Sequence, residues 1–289
     1  MLKLSKELMI RHRSTLTLGD LWFKNKGKSK GLTFIVGPCV IENKSQTMEI
    51  ASYLKELFSN LPIRFIFKAS FDKANRTSVK SPRGVGLDKG IKILGDIKSK
   101  LKIPILSDVH CVSQIKDVKD VLDVIQIPAF LCRQTDLILE AAKTNKIINI
   151  KKGQFASPTD MKYMVEKVES TGNKKIFITE RGSCFGYNSL VVDFRSFLIM
   201  KKYGYPVIYD VTHSLQSPSA RKGVSGGDRK FAPALAKAAV ACGVDGLFME
   251  VHPRPSQALS DPYTSLPLAK IKNLVKSILK IKEAINEEK

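Results

Sequence analysis

Short apolar, β-branched runs alternate with longer amphipathic segments along most of this chain, and that alternation limits the folds open to it. The runs are Thr33 to Val36, Arg64 to Lys68, Ile103 to Ser107, Val124 to Ile127, Ile147 to Ile150, Lys175 to Thr179, Pro206 to Asp210 and Gly246 to Glu250. Helical patterns lie between and after them, among them Ser45 to Phe58, Leu87 to Lys100, Thr135 to Asn145, Pro158 to Glu169, Phe231 to Cys242 and Leu268 to Glu287. Parallel strands need crossover connections, and eight βα units in about 250 residues fit a closed TIM (β/α)8 barrel better than an open sheet. No linker interrupts residues 33 to 289, and 43% hydrophobic content is enough for one full core. The expectation is an α/β fold in a single domain, residues 14–289, behind a basic N-terminal extension, residues 1–13. Within the domain, Thr15 to Leu18, Gly19-Asp20 and Leu21-Trp22-Phe23 read as a short N-terminal hairpin.

In such a barrel the working groups come from the carboxyl ends of the strands and the loops just beyond them. The polar residues of this chain collect there. The first run leads into Gly37-Pro38-Cys39-Val40-Ile41-Glu42, the second ends in Lys68, the third leads to Asp108 and His110, and the fourth holds Gln126. The fifth ends at Lys151-Lys152, the sixth at Glu180-Arg181-Gly182, the seventh at Asp210 and His213, and the eighth at Glu250 and His252. Core packing has no use for a polar cluster after every strand, so a shared mouth is expected. The stretch Phe67 to Gly86, FKASFDKANRTSVKSPRGVG, sets Lys68, Lys73 and Arg76 among Ser70, Asn75, Thr77 and Ser78. Cationic heads beside neutral donors at the end of a buried strand suit a phosphate-bearing ligand.

Lys and Arg number 48 against 27 Asp and Glu, a formal net charge of +21. That balance suits anionic substrates, and equally nucleic acid or a membrane surface. The lysines spread along helical faces and the run from Lys270 to Lys289 without a nucleic-acid-binding motif, so a Lys-rich solvated surface is expected. Cys39, Cys111, Cys132, Cys184 and Cys242 are odd in number, widely spaced and free of any C-x-x-C pair. This argues against a disulfide framework or zinc ribbon and for a reducing compartment. No apolar run reaches the roughly 20 residues that span a bilayer, and residues 1 to 13 lack the apolar centre of a secretory signal. The expectation is a cytoplasmic protein with no transmembrane segment and no nucleic-acid partner.

GPCVIE, FKASFDKANRTS, SDVH, DVIQIPAFLCRQTDL, INIKKGQF, ERGSCFGYNSLVVDFRS, DVTHSLQSP, SGGDRKF and MEVHPRPSQALSDPYTSLPL follow one another in order, from about Thr15 to the end of the chain. Together they resemble the 3-deoxy-D-manno-octulosonate 8-phosphate synthases. The resemblance implies a TIM barrel, usually a homotetramer. It also implies condensation of phosphoenolpyruvate with arabinose 5-phosphate and water, the product feeding lipopolysaccharide synthesis. It assigns Lys68, Ser70, Lys73, Gln126, Lys151 and Arg181 to phosphoenolpyruvate, with Lys68, Lys73, Lys151 and Arg181 as the catalytic set. Asn75, Arg76 and Thr77 would hold the sugar phosphate, and Asp108 and Ser225 would bind or orient the sugar chain. Lys152 and His110 would support these groups from behind. Ser225 lies in SGGDRKF, whose two glycines could let the segment close over substrate. Charge agrees, since two phosphates and a carboxylate must be neutralised.

Members of that family either use a divalent metal or do without, and the metal-using branch carries cysteine in the GPC position where the other has asparagine. On that pattern Cys39, His213, Glu250 and Asp261 are the implied ligands. A thiolate, an imidazole and two carboxylates suit zinc, iron or manganese better than magnesium. Cys111, Cys132, Cys184 and Cys242 are expected to be structural. Ser81-Pro82-Arg83-Gly84-Val85-Gly86 departs from the family's usual aromatic-Arg-Gly-Pro-Gly form. Two rival readings stand beside this one. The related synthase of the aromatic-amino-acid pathway uses erythrose 4-phosphate and typically carries Lys-Pro-Arg-Thr-Ser where this chain has Lys73-Ala74-Asn75-Arg76-Thr77-Ser78. A non-enzymatic basic nucleic-acid-binding protein would explain the charge and leave the strand-end residues without a purpose.

Overall fold

The computed structural model describes residues 31–221 and 224–287. The extension and hairpin expected upstream lie outside the described residues. Eight parallel strands form the centre: β1 (Thr33–Gly37), β2 (Arg64–Lys68), β3 (Ile105–Asp108), β4 (Val124–Ile127), β5 (Ile147–Lys151), β6 (Ile176–Glu180), β7 (Val207–Asp210) and β8 (Gly246–His252). They pair in chain order, and β1 pairs in turn with β8, from Thr33 opposite Gly246 to Gly37 opposite Glu250. The expected barrel is therefore closed. After each strand comes a helix: α1 (Lys44–Phe58), α2 (Leu87–Leu101), α3 (Ile115–Val118), α4 (Thr135–Lys143), α5 (Met161–Glu169), α6 (Arg195–Lys201), α7 (Ala232–Ala241) and α8 (Ile271–Glu287).

Successive side chains of a strand point to opposite faces, and each face of these strands has its own apolar layer. Ile35, Ile66, Leu106, Val124, Ile147, Phe177, Ile208 and Phe248, one from each strand, form a separate buried cluster that fills the barrel interior. Their neighbours, such as Phe34, Val36, Phe67, Ile125 and Ile148, belong to the larger cluster shared with the helices. In α1 the buried residues Thr47, Ile50, Ala51, Leu54 and Phe58 recur at helical spacing and form the face turned inward. Asn43 starts that helix, its side-chain oxygen accepting from Gln46 N–H at 2.9 Å.

Strand limits shift by a residue or two for local reasons. β3 begins after Pro104, which has no N–H to give to a ladder. β8 runs on to His252 because Val251 and His252 gain a further parallel partner in Leu266–Pro267. Two small antiparallel ribbons were not expected, Ser183–Cys184 with Leu190–Val191 and Gln216–Arg221 with Val224–Gly227. The second absorbs the start of SGGDRKF. Gly226 and Gly227, read in the sequence as glycines that could let the segment close over substrate, stand opposite Ser217 and Gln216 as paired strand residues.

Candidate active site

Two residues beyond the apolar plug, the inward positions turn polar. Ile66 is followed on its own face by Lys68, Leu106 by Asp108, Val124 by Gln126, Ile208 by Asp210 and Phe248 by Glu250. On β5 and β6 the change takes two steps, through Asn149 to Lys151 and through Thr179 to Arg181 just past the strand. On β1 the slot is empty: a Cβ on Gly37 would lie 1.9 Å from the carbonyl oxygen of Lys68, so glycine is what lets β1 and β2 close here. The floor of the mouth is thus a buried polar ring on a dry apolar plug. Neutral members brace it, with Thr179 Oγ1 donating to Asn149 Oδ1 at 2.6 Å and Asn149 Nδ2 to Gln126 Oε1 at 2.9 Å.

The lysines are held by the acids beside them. Lys68 Nζ donates to Glu250 Oε1 at 2.5 Å and to the carbonyls of Cys39 and Pro38 at 2.8 and 3.2 Å. Lys151 Nζ donates to Asp210 Oδ2, lies 3.3 Å from His213 Nδ1 and sits 3.8 Å from the centroid of the Phe248 ring. Lys73 Nζ donates to Ser70 Oγ at 2.9 Å and lies 3.9 Å from Glu250 Oε1. Burial alone would lower the Lys73 pKa, but Cys39 once ionised, together with the carboxylates of Asp108, Glu250 and Asp261, overcomes it and holds the value above the usual lysine range. For Lys151 burial prevails over Asp210 and Glu250, and its pKa is lowered. Arg181 Nη2 donates to the His213 carbonyl at 3.0 Å and to Gln216 Oε1 at 2.5 Å.

These groups surround a cavity of about 380 Å³ at the carboxyl end of the barrel. Its walls include Lys68, Lys73, Asn75, Arg76, Thr77, Asp108, Gln126, Lys151, Arg181, His213, Ser225, Glu250 and Asp261. Of the residues assigned in the sequence to a substrate or to the ion, Cys39 and Ser70 stay behind the wall. Ser70 is buried under Lys73, and Cys39 is buried against Ser260 and Asp261. Arg76 Nε donates to the Pro82 carbonyl at 2.8 Å, and Thr77 Oγ1 lies 3.4 Å from Ser219 Oγ. His110 Nε2 lies 3.2 Å from Asp108 Oδ2, while Asp108 Oδ1 is buried with no hydrogen-bond partner among the described residues.

Cys39, His213, Glu250 and Asp261 each offer one ligand atom, and these atoms lie within 4.8 Å of one another. His213 Nε2 is 3.4 Å from Glu250 Oε1, and Cys39 Sγ is 3.1 Å from Asp261 Oδ2. Glu250 Oε2 is buried with no hydrogen-bond partner among the described residues. One sulfur, one imidazole nitrogen and two carboxylate oxygens at this spacing fit a borderline-soft divalent ion, which prefers 2.0–2.3 Å bonds to such donors. An orphaned buried carboxylate oxygen fits the same purpose.

Residues 20–287 match the sequence family described as the DAHP synthetase I family. The chain belongs to that family. A 2-dehydro-3-deoxyphosphooctonate aldolase from Desulfatibacillum aliphaticivorans is 52% identical over 260 residues, 90% of this chain and 95% of that protein. Proteins of the same name from Legionella pneumophila (strain Corby) and Syntrophotalea carbinolica are 54% and 51% identical. Those matches cover 87% and 92% of this chain, and 92% and 95% of the two relatives.

Within this DAHP synthetase I family barrel, the partners of several site groups carried no signal in the sequence. Asp210 was one more strand-end acid there, yet it holds both Lys151 and His213, whose Nδ1 lies 2.7 Å from Asp210 Oδ2. Gln216 ties Arg181 to Asp261 through its two amide ends, and Ser260 touches Cys39, Arg76 and Asp261. All five cysteines are free. Cys132 is buried as expected of a packing residue, whereas Cys111 and Cys184 are exposed, so the structural part expected of those two does not hold.

Proposed function

We propose that this chain condenses phosphoenolpyruvate with arabinose 5-phosphate and water to give 3-deoxy-D-manno-octulosonate 8-phosphate and phosphate, as a step toward lipopolysaccharide. The observation that carries the reading is the convergence of Lys68, Lys73, Lys151 and Arg181 on one cavity floor, in a chain about half identical to proteins named 2-dehydro-3-deoxyphosphooctonate aldolase. In this reading Lys73, Lys151, Arg181 and Gln126 hold the phosphate and carboxylate of phosphoenolpyruvate, and Ser70 braces Lys73 from behind. Asn75, Arg76 and Thr77 hold the sugar phosphate at the cavity rim, and Asp108 and Ser225 orient the sugar chain.

The reaction joins C3 of phosphoenolpyruvate to the aldehyde carbon of the sugar, while water adds to C2 and the C2–O bond to phosphate breaks. The aldehyde oxygen takes a proton and becomes a hydroxyl. Negative charge gathers on that oxygen and on the departing phosphate, so fixed cations in a dry site are the main source of rate. The Lys and Arg groups are already fixed by acids and carbonyls, which lowers the cost of reorganising them during the reaction. The rim residues contribute by orientation, bringing the aldehyde onto the face of the double bond. No Schiff-base lysine is needed.

A divalent ion belongs to the same proposal, held by Cys39, His213, Glu250 and Asp261. It would supply Lewis-acid polarisation of the aldehyde or of water. A homotetramer in the cytoplasm completes the reading. Among the described residues no helix is long and apolar enough to cross a membrane.

The deciding experiment is release of phosphate from phosphoenolpyruvate by purified protein with each sugar in turn. Release is expected only with arabinose 5-phosphate present, and much more slowly with erythrose 4-phosphate. Equal or faster turnover with the four-carbon sugar would overturn the assignment.

A further inference from the structure

Ser260 is 2% exposed, and its hydroxyl is where the two halves of the site touch. The Cys39 thiol donates to Ser260 Oγ at 2.8 Å, Arg76 Nη1 donates to it at 2.9 Å, and the hydroxyl itself donates to Asp261 Oδ2 at 3.2 Å. A hydroxyl has one proton and two lone pairs, so these three contacts exhaust it. Two of the three partners are candidate ion ligands. The third is the arginine at the sugar-phosphate rim.

Arg76 is held only in part. Its Nε donates to the Pro82 carbonyl at 2.8 Å, and its Nη2 reaches the Leu259 carbonyl at a long 3.5 Å. A guanidinium has five N–H groups in a rigid fork, so bonds to Pro82 and Ser260 set its plane and leave other N–H groups for an anion in the cavity that it lines. The segment that carries Ser260 needs holding, because Asp261 adopts a left-handed backbone with φ of 50°. One anchor is Leu259 N–H, which donates to Glu42 Oε1 at 2.9 Å. Gln216 Nε2, which donates to Asp261 Oδ1, is another, as are the contacts of Cys39, Ser260 and Asp261 among themselves.

We infer that Ser260 is a positioning residue that couples divalent-ion binding to sugar-phosphate binding. An ion that holds Cys39 and Asp261 takes Cys39 as its thiolate, so the thiol proton leaves and Cys39 no longer donates to Ser260. The Ser260 hydroxyl then donates to these ion-held ligands and keeps its lone pairs for the Arg76 fork, which it holds in the plane that receives phosphate. The coupling rests on the ion reading given above and adds to it a route between the two ligands. It is reciprocal, so the sugar phosphate tightens the ion by the factor by which the ion tightens the sugar phosphate. Couplings of this kind are typically about five- to 150-fold, and the low end of that range is expected from one hydroxyl.

The test titrates arabinose 5-phosphate calorimetrically, without phosphoenolpyruvate so that nothing turns over. The protein is either stripped with a chelator or reloaded with excess zinc. The wild type is expected to bind the sugar phosphate at least about five-fold tighter when loaded. In Ser260→Ala that ratio should fall to near one even at saturating zinc. Arg76→Lys keeps the charge without the fork, and should lose the ratio while binding zinc as the wild type does. Equal affinity in stripped and loaded wild type overturns the proposal. So does a ratio that survives Ser260→Ala, the outcome expected if the hydroxyl only stabilises the loop and both forms weaken alike. If elemental analysis finds that the wild type takes up no zinc, the ion reading fails and the coupling with it. If zinc binds and the ratio is one, the coupling alone fails.

Discussion

Lys68 Nζ lies 2.5 Å from Glu250 Oε1, with both side chains sealed from solvent at the base of the cavity. With the carbonyls of Pro38 and Cys39 also accepting, the three donors of the ammonium are all committed. Lys68 therefore belongs as much to the framework around the candidate ion ligands as to the substrate. Removing one partner of such a pair leaves a buried charge without compensation, at a cost of about 3–5 kcal/mol. Lys68→Met and Glu250→Gln are each expected to lose about that much stability in urea unfolding. The double variant should recover a good part of it. Additive losses in the cycle would show that the two charges do not depend on each other.

Asp108 carries a prediction about acid. Burial would raise its pKa, but Lys73, His110 and Lys68 outweigh burial and hold it well below the usual carboxylate range. A depressed folded-state pKa means that the ionised carboxylate stabilises the fold above its unfolded pKa of about 3.9, and that this contribution fades as pH falls below that value. The gap in stability between the protein and Asp108→Asn should be constant from about pH 7 to pH 5 and narrow below about pH 4. Unfolding curves across that range measure it. A gap that widened in acid would reverse the sign and refute the charge argument.

Lys152 is fully buried, and its Nζ lies 3.3 Å from Glu180 Oε1, 2.9 Å from Ser183 Oγ and 3.2 Å from the Ala156 carbonyl. The same Glu180 oxygen accepts from the N–H groups of Arg181 and Gly182 at 2.9 and 2.7 Å. Lys152 thus ties the loop after β5 to the turn that presents Arg181. Lys152→Met is expected to cost about 3 kcal/mol of stability and to raise KM for phosphoenolpyruvate more than KM for the sugar. A loss of stability with both KM values unchanged would leave Lys152 a structural residue only.

The pair Lys151-Lys152 shows how far the sequence could be read. The apolar run before it marks a buried strand, and period 2 says that two adjacent residues face opposite ways, but nothing local says which one faces the mouth. That is set by the plug, where Ile147 and Phe248 fill the axis and place Lys151 on the Phe248 ring. Arg195–Lys201 failed to register as a helix because its seven residues hold barely two turns, too few for a period to show. Ser260 carried no signal, and Asp210 none beyond its place at a strand end, for another reason. Their importance comes from partners up to 221 positions away, Cys39 for one and Lys151 for the other, and no local pattern encodes such a meeting.

The ion reading is open to direct attack. Cys39 sits where burial and the nearby Glu250 push its thiol well above the ordinary value, so a cation that takes the thiolate must outcompete a strongly held proton. Burial would raise Asp261 as well, and Glu250 adds to that, yet His213 and Lys73 together with a bond from Cys39 leave it lowered and ready as a carboxylate. A strong chelator should therefore inactivate the enzyme, and a divalent transition metal should restore it, with metal content following activity in both directions. Loss of any one ligand removes a bond to the ion, and Asp261→Ala or His213→Ala should weaken metal binding by at least about tenfold. Cys39→Asn exchanges the thiol for an amide as in the metal-independent branch, while Lys68, His213 and Glu250 stay as they are around it. Reduced turnover with less dependence on added ion is expected. Full activity of wild-type protein in chelator, with no transition metal found by elemental analysis, would remove the ion from the mechanism and leave the condensation to Lys73, Lys151 and Arg181.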